Sequence, residues 1–204
     1  MLVSIVIPSI KKNVLTLKNL DCPFPHEVIV IKEHGLGKGR NEGFRRTKGD
    51  LVVLVDDDLI IDPKIWKYIL NLRNKEFAML DTGNFPITRV FAIYKKDFWL
   101  VGGFDESLRY SSEDREFYSR AVLKGLKFKP IPLSLVAHIK HKKRSANIHS
   151  GLKVCKDNVN FILKYLIYFP KLVFKQDFLN RIRSFQFRTL ILQFFYFYWI
   201  ILFE

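Results

Sequence analysis

The feature that most constrains the fold is an apolar segment that runs directly into three aspartates, in the stretch GDLVVLVDDDLIIDP at residues 49–63. The unbroken run of aliphatic and β-branched residues predicts a strand that is buried on both faces. Asp56, Asp57 and Asp58 follow this run at once. Crowded carboxylates repel one another and raise one another's pKa. A shared divalent cation would cancel that repulsion, and hard oxygen ligands suit Mg²⁺ or Mn²⁺. From the residues alone, an acidic turn that caps the helix beginning at Pro63 remains equally open.

Strands and helices alternate along the first two thirds of the chain. Strands are predicted at residues 2–8, 26–35, 50–55 and around 89–94. Helices are predicted at residues 37–49, 63–74 and 111–125, the second with Asp62 as its N-cap and Pro63 in its first turn. This alternation predicts a three-layer α/β domain with a mainly parallel sheet, in which ligands bind at the carboxyl ends of the strands. The three aspartates lie at such an end.

Composition narrows the possible functions. The chain has 204 residues, enough for one sizeable domain with an appendage, and its 49% apolar content argues against disorder. The formal net charge of +14 points to nucleic acid, anionic membrane or phosphorylated substrates as partners. The two cysteines, Cys22 and Cys155, form no disulfide framework, and the N-terminal segment looks like a strand rather than a leader. These features predict an intracellular protein.

A second acidic pair occurs at the start of the third predicted helix. Glu113 and Asp114 lie in the segment SSEDREF, where the helix dipole helps to keep a carboxylate ionised. Acids in the first turn of a helix are also routine caps, so catalysis and capping both remain open for this pair.

A basic, histidine-containing segment follows, VAHIKHKKRSANIH, with His138, His141 and His149. It is able to supply a metal ligand and a phosphate clamp, or to form a solvated basic loop.

The glycine-rich segment GLGKGRNEG follows a predicted strand and opens a helix. It does not match the dinucleotide-binding fingerprint, because Arg40 and Glu42 stand where a glycine is required. With Lys38 and Arg40 at the helix start, it still has the chemistry to hold a pyrophosphate.

Five elements occur in a particular order: a first strand ending in proline, a G-x-x-RN-x-G helix at 37–43, the aspartate triplet, GGFDE at 102–106, and Glu113-Asp114 before a helix ending in KG. In this order they resemble the family 2 glycosyltransferases, an inverting group with a GT-A fold. The resemblance covers residues 2–141. It implies a GT-A glycosyltransferase domain at residues 1–150, which takes a nucleotide-diphosphate sugar as donor and Mg²⁺ or Mn²⁺ as cofactor.

The resemblance also implies roles for individual residues in catalysis and metal binding. Asp114 resembles the general base, with Glu113 as its neighbour in the catalytic pair. Asp58 resembles the last acid of the DxD motif, which binds the metal bridging the donor's diphosphate. His138 resembles a late histidine that completes the metal site in some members.

Substrate-binding roles follow from the same resemblance. Asp56 resembles the first acid of the DxD motif, which contacts the ribose or base, and Arg40 matches a basic residue near the nucleotide. The other implied substrate-binding residues are Pro8, Asp57, and the acceptor-pocket turn Gly103, Phe104 and Asp105. The family's second strand usually ends in an aspartate near the base, and Glu33 is the stand-in here. Little sequence separates Glu33 from the RN helix, which predicts a compact nucleobase pocket.

The character of the chain changes at about residue 151. Residues 151–204 are rich in aromatic and basic side chains, and Phe178, Ile182 and Phe185 would share one helical face away from the arginines. The apolar run at 189–203 is shorter than the ~20 residues that a bilayer-spanning helix needs. We expect an amphipathic helical extension that contacts a membrane surface through residues 176–204, or packs on the core or on a second subunit.

We therefore expect a transferase on the cytoplasmic face of a membrane with a glycan or lipid-linked acceptor. Three alternatives remain open. One is a non-catalytic membrane-associated homologue. Another is a phosphatase-like enzyme with an aspartate nucleophile, although Ile60 replaces the expected Thr or Val of that motif. The third is a nucleic-acid-binding module, but no RNA- or DNA-binding motif occurs, so we expect no nucleic-acid partner.

Overall fold

The computed structural model describes residues 1–33, 35–83, 86–108 and 112–139, together with Lys156. The strands are β1 (Val3–Pro8), β2 (His26–Ile31), β3 (Leu51–Val55), β4 (Leu59–Ile61), β5 (Glu76–Asp81), β6 (Ile87–Tyr94), β7 (Lys127–Pro132) and β8 (Val136–His138). The helices are α1 (Leu36–Arg46), α2 (Ile65–Leu70), α3 (Lys95–Val101) and α4 (Glu113–Leu123), with short 3₁₀ turns at Leu15–Asn19 and Leu133–Leu135.

In the described residues, six strands form one sheet in the order β2-β1-β3-β6-β5-β7, and β4 pairs with β8 in a second, two-stranded sheet. The β1–β2, β1–β3 and β5–β7 pairs are parallel. Only β6 runs the other way, antiparallel to both β3 and β5. The sheet is therefore mainly parallel, as predicted, and β6 brings its starting end to the edge where β3 finishes.

The sheet separates two hydrophobic clusters, because alternate residues of a strand point to opposite faces. In β3, Val52 and Leu54 belong to one cluster, together with Phe44 of α1, Phe98 of α3 and Phe117 of α4. Leu51, Val53 and Val55 belong to the other cluster, which includes Trp66 and the rest of the apolar face of α2. Helices thus cover both faces of the sheet, which confirms the predicted three-layer α/β architecture.

Helix α1 lies close against β1 because Gly43 has no side chain. A Cβ atom at Gly43 would come within 2.2 Å of Val6 Cγ1, and Val6 is fully buried. At the start of the same helix, a Cβ at Gly37 would lie 2.8 Å from the Asp105 carbonyl oxygen. The two glycines let α1 approach both the sheet and the turn after α3, and so place Arg40 and Asn41 between them.

Two parts of the fold differ from the sequence-based expectation. Helix α2 spans only Ile65–Leu70, half of the predicted segment, because Leu72 is buried and the chain turns at Lys75 into β5. Asp62 still supports the helix start, since its side chain accepts a 2.8 Å hydrogen bond from the Lys64 amide. The short strands β4, β5, β7 and β8 were not anticipated.

Residues 140–155 and 157–204, which include His141, His149 and the predicted amphipathic extension, lie outside the described residues. Among the helices that are described, none has the length and apolar character needed to span a bilayer.

Candidate active site at the carboxyl edge of the sheet

The aspartate triplet lies at the edge where the parallel strands β1, β2 and β3 end. Asp56 follows the last residue of β3, and its amide donates a 2.9 Å hydrogen bond to the Arg89 carbonyl on antiparallel β6. Pro8 ends β1, and Glu33 follows β2 at the same edge. The side chain of Glu33 is paired with Lys38 at 3.2 Å. The strand directions therefore bring together residues that are far apart in the sequence.

Thr16, which no sequence pattern singled out, fixes the backbone of the triplet. Its fully buried hydroxyl donates to the Asp56 carbonyl at 2.7 Å and accepts from the Leu59 amide at 2.8 Å. The Thr16 amide also donates to the Asp57 carbonyl at 3.2 Å. One side chain thus ties both ends of the acidic turn to the 3₁₀ turn after β1, which limits the movement of the three carboxylates.

Each of the last two aspartates has basic neighbours. Asp57 accepts hydrogen bonds from the Ser9 hydroxyl and from Lys11 Nζ, the latter at 2.7 Å. Asp58 Oδ2 lies 3.8 Å from the same Lys11 ammonium, and Asp58 Oδ1 lies 3.6 Å from His138 Nδ1. The side chains of Asp57 and Asp58 are only 13% and 15% exposed, so these contacts replace part of the hydration that the two carboxylates lose.

His138 reaches the triplet through the small second sheet. It pairs with Leu59 in the β4–β8 ladder, and the Ile139 amide donates to the Asp58 carbonyl at 2.9 Å. On the other side of the imidazole, Arg89 Nη1 contacts Nε2. The predicted metal pair, Asp58 and His138, is thus brought together although 79 residues separate the two.

Arg40 links the aspartate triplet to the second acidic pair. Its guanidinium donates to Glu113 Oε1 at 2.6 Å, and its other terminal nitrogen lies 3.8 Å from Asp56 Oδ1. The side chains of Arg40 and Glu113 are each 6% exposed, and the guanidinium packs over the ring of Phe104. Arg40, which the resemblance places near the nucleotide, is therefore a buried counter-ion between the two acidic segments.

Asn41, the next residue of α1, holds the glycine turn after α3. Its side chain accepts from the Phe104 amide at 2.8 Å and donates to the Phe104 carbonyl at 2.9 Å. From α4, Arg120 donates to the Gly103 carbonyl at 2.8 Å. The Phe104 ring lies in the core, whereas Asp105 is half-buried and accepts from the amide and hydroxyl of Ser107. The expected acceptor turn is thus fixed from two helices.

Asp114 is the second residue of α4 and lies two residues after a strained residue. Ser112, at the N-cap position, has φ 66°, a left-handed conformation that is uncommon for a residue other than glycine. Burial and the neighbouring Glu113 raise the pKa of Asp114 to about 6, although Arg40 and the Arg115 amide oppose the rise. Backbone strain beside a carboxyl with a raised pKa is a pattern that occurs at functional sites.

Asp56 has a perturbed pKa for a similar reason. Burial raises the pKa of Asp56 to about 6, against the opposing charge of Arg40. The two acidic segments joined by Arg40 therefore both contain a carboxyl group that takes up a proton more readily than an ordinary aspartate.

The donor set at Asp58 and His138 fits part of a divalent metal site. Asp58 Oδ1 and His138 Nδ1 face each other at 3.6 Å, while Lys11 lies near the other oxygen of Asp58 and Arg89 contacts the other ring nitrogen of His138. No group of three or more His, Cys, Asp or Glu side chains gathers at metal-binding distance in the described part of the chain. Mg²⁺ and Mn²⁺ commonly take one or two protein carboxylates and fill their other positions with phosphate oxygens and water. The pair therefore suits an ion that arrives with a diphosphate.

Comparison with known proteins identifies the family. The family model for glycosyl transferase family 2 matches residues 14–119, just over half of the chain. The chain belongs to glycosyltransferase family 2. The matched residues include Arg40, the aspartate triplet and Glu113-Asp114, so the predicted family membership is confirmed on most of the segments that suggested it, the first strand lying outside the match. A search of curated protein sequences found no match.

Solved structures support the GT-A fold. A mannosyltransferase from Pyrobaculum calidifontis, in complex with GDP-Man and Mn²⁺, matches with a TM-score of 0.58 at 10% identity, over 80% of this chain and 64% of the mannosyltransferase. S. aureus TarS 1–349 with UDP-GlcNAc matches with a TM-score of 0.54 at 17% identity, over 91% and 74%. The catalytic domain of Drosophila β-1,4-galactosyltransferase 7 with xylobiose matches with 0.52 at 12%, over 74% and 79%. This family 2 chain therefore spans just under two thirds of the mannosyltransferase's length.

Replacing Arg40 with methionine should destabilise the protein by about 3–5 kcal/mol, because it leaves the buried Glu113 charge without its partner. Replacing Glu113 with leucine in the same chain should recover much of that loss, since apolar residues are often tolerated in place of a buried ion pair. Urea denaturation at neutral pH measures both effects.

The matched control is Arg45→Met, also on α1, whose guanidinium is 51% exposed in its pairs with Glu42 and Glu106. This change should cost about 1 kcal/mol or less. An Arg40→Met protein as stable as the control would show that the buried ion pair does not organise the site.

Proposed function

We propose that this family 2 protein is an inverting glycosyltransferase that moves a sugar from a nucleotide-diphosphate donor to a glycan or lipid-linked acceptor. The observation that carries the proposal is that two acidic segments meet at one edge of the sheet. Asp58 lies beside His138 there, next to Asp56. Arg40 lies between Asp56 and Glu113, the neighbour of Asp114. A donor site and a candidate base are thereby connected through one buried side chain.

Asp114 is the general base in this proposal. Inverting transfer requires a group that takes the proton from the acceptor hydroxyl while its oxygen attacks the anomeric carbon. With a pKa raised to about 6, Asp114 is ionised at neutral pH and is a stronger base than an ordinary aspartate. Glu113 is committed to Arg40, so its role is to position the start of α4 beside Asp114.

Asp58 and His138 would hold the divalent ion, and a Mg²⁺ or Mn²⁺ ion bound there would supply positive charge to the departing diphosphate. Arg89, which contacts His138 and was not anticipated from the sequence, adds a second positive charge at the same place. Asp56, Asp57, Glu33 and Pro8 line the edge where the donor binds. The turn at Gly103, Phe104 and Asp105, held by Asn41, faces the acceptor.

Two of the structural neighbours support the donor class. The Pyrobaculum mannosyltransferase was solved with GDP-Man and Mn²⁺, and TarS with UDP-GlcNAc. Both ligands are nucleotide-diphosphate sugars, and one accompanies a divalent metal. The paired Asp58 and His138 of this chain are consistent with the same requirement.

The donor site is tested by the melting temperature of the protein with UDP-, GDP-, CMP- and dTDP-sugars, each with Mn²⁺, Mg²⁺ or EDTA. One nucleotide class should raise the melting temperature only with metal, since a ligand at 100 times its Kd stabilises a protein by about 2.7 kcal/mol. Asp58→Ala should abolish the rise. Asp50→Asn, at the opposite end of β3, should retain it. If the protein is folded and no donor raises its melting temperature, a non-catalytic homologue becomes the better interpretation.

The base is tested by the pH dependence of kcat at saturating donor. Protonated Asp114 is unable to accept a proton, so kcat should rise with pH through about 6 and fall about tenfold per unit below it. Asp114→Asn should lower kcat by about 10²–10⁴-fold without changing the donor-induced melting shift. A kcat that is flat between pH 5 and 7, or an active Asp114→Asn protein, would assign the base elsewhere.

We also propose that the protein is peripheral on the cytoplasmic face of a membrane through residues 176–204, where aromatic and basic residues are interleaved. Replacing Arg181, Arg183 and Arg188 with glutamine in the full chain should weaken sedimentation with anionic vesicles by about tenfold or more, since each basic residue contributes about 1 kcal/mol. The control replaces the exposed Lys64, Lys67 and Arg73 in the same way. Equal sedimentation of the two variants would refute this interface.

A further inference from the structure

Lys11 lies where the aspartate triplet would receive a cation. Its ammonium is 2.7 Å from Asp57 Oδ1 and 3.8 Å from Asp58 Oδ2, so it lies between two neighbouring carboxylates. Arg40, by contrast, is directed to Asp56 and Glu113. Arg40 thus faces the first acid of the triplet, and the single charge of Lys11 is shared by Asp57 and Asp58.

The position of Lys11 is built into the fold. Ser9, 5% exposed, donates its amide to the Ile31 carbonyl at 2.8 Å and its hydroxyl to Asp57 Oδ2. The Lys11 amide donates to the Ser9 hydroxyl at 3.2 Å. The loop after β1 is therefore attached to β2 and to the triplet, and it presents the ammonium from a fixed backbone.

Lys11 and a divalent ion have competing requirements at Asp58. The carboxylate that would bind the ion also lies 3.8 Å from the ammonium, and like charges at such separations repel strongly in a partly buried site. The Lys11 side chain is 37% exposed and has a flexible stem, so it is able to move away without unfolding the loop. Once released from Asp58, the ammonium would be positioned to bind the diphosphate of the donor at this edge, since lysine is a common phosphate ligand.

We propose that Lys11 is the resting counter-ion of Asp57 and Asp58, which releases Asp58 to the divalent ion and then contacts the diphosphate of the donor. This inference rests on the proposed glycosyltransferase function. It assigns Lys11 two measurable effects of opposite sign: it opposes metal binding in the absence of donor, and it favours nucleotide binding once the metal is present.

The first measurement is the affinity of the full chain for Mn²⁺ without nucleotide. The electron paramagnetic resonance signal of free Mn²⁺ reports how much of the ion remains unbound. Lys11→Gln should bind Mn²⁺ about threefold to tenfold more tightly than the unmodified protein, because both the competing ion pair and the repulsion are removed. Lys11→Arg, which keeps the charge, should bind Mn²⁺ like the unmodified protein. The matched control is Lys12→Gln, the same charge change at the exposed next residue, and it should have no effect.

The second measurement is binding of UDP and of GDP at saturating Mn²⁺, by calorimetry. The nucleotide that binds the unmodified protein should bind Lys11→Gln about tenfold more weakly, and Lys11→Arg should restore most of the affinity. Lys12→Gln should again match the unmodified protein. Thermal melting of each variant verifies that it is folded.

The outcomes separate this inference from the function on which it rests. If the unmodified protein binds Mn²⁺ and nucleotide but Lys11→Gln is unchanged in both measurements, the role of Lys11 is refuted and the donor site stands. Unchanged Mn²⁺ affinity, or no Mn²⁺ binding by either protein without nucleotide, refutes the competition, and unchanged nucleotide affinity alone refutes the diphosphate contact. If neither protein binds Mn²⁺ or nucleotide, the inference and the proposed function fail together.

Discussion

The interaction on which the site depends is the buried contact between Arg40 and Glu113. A guanidinium and a carboxylate removed from water are each costly to bury, and they are tolerated here because they lie 2.6 Å apart. The same guanidinium faces Asp56 and packs over Phe104, so one side chain of α1 reaches the end of β3, the start of α4 and the glycine turn. Gly43 makes this reach possible, because it lets α1 lie directly on β1.

Charge balance also explains why so many acids are held beside the core. Arg40, Lys11 and Arg89 approach the acidic edge from α1, from the loop after β1 and from β6, and each contacts a different member of the acidic and histidine set. The antiparallel direction of β6 matters here, because Arg89 lies near the start of that strand. If β6 ran parallel to β3, its start would lie at the opposite edge of the sheet. The acidic edge of this chain therefore contains its own cations.

Local patterns were reliable where one interaction dominated. The fully buried run of β3 was predictable because burial alone determines it. Helix α4 was predictable because acids fill its first turn and Gly125 follows its end. Helix α2 was overestimated, since the sequence pattern of residues 63–74 does not reveal that Leu72 packs into the core while the chain turns at Lys75. Strand β7 was missed because Pro130 and Pro132 argue against a strand, yet they are accommodated in a strand at the edge of the sheet.

The sequence by itself determined the fold class, the family and the acidic segments, because these depend on periodicity and on motifs that are contiguous in the chain. Only the tertiary structure decided which charges meet. The Asp58–His138 pair requires the β4–β8 ladder, and the roles of Thr16, Lys11 and Arg89 arise from hydrogen bonds and ion pairs across strands. Arg40 was expected to lie near the nucleotide, and only the packing of α1 on β1 shows it as a buried counter-ion. Electrostatic contacts depend on distance in space, which no spacing along the chain specifies.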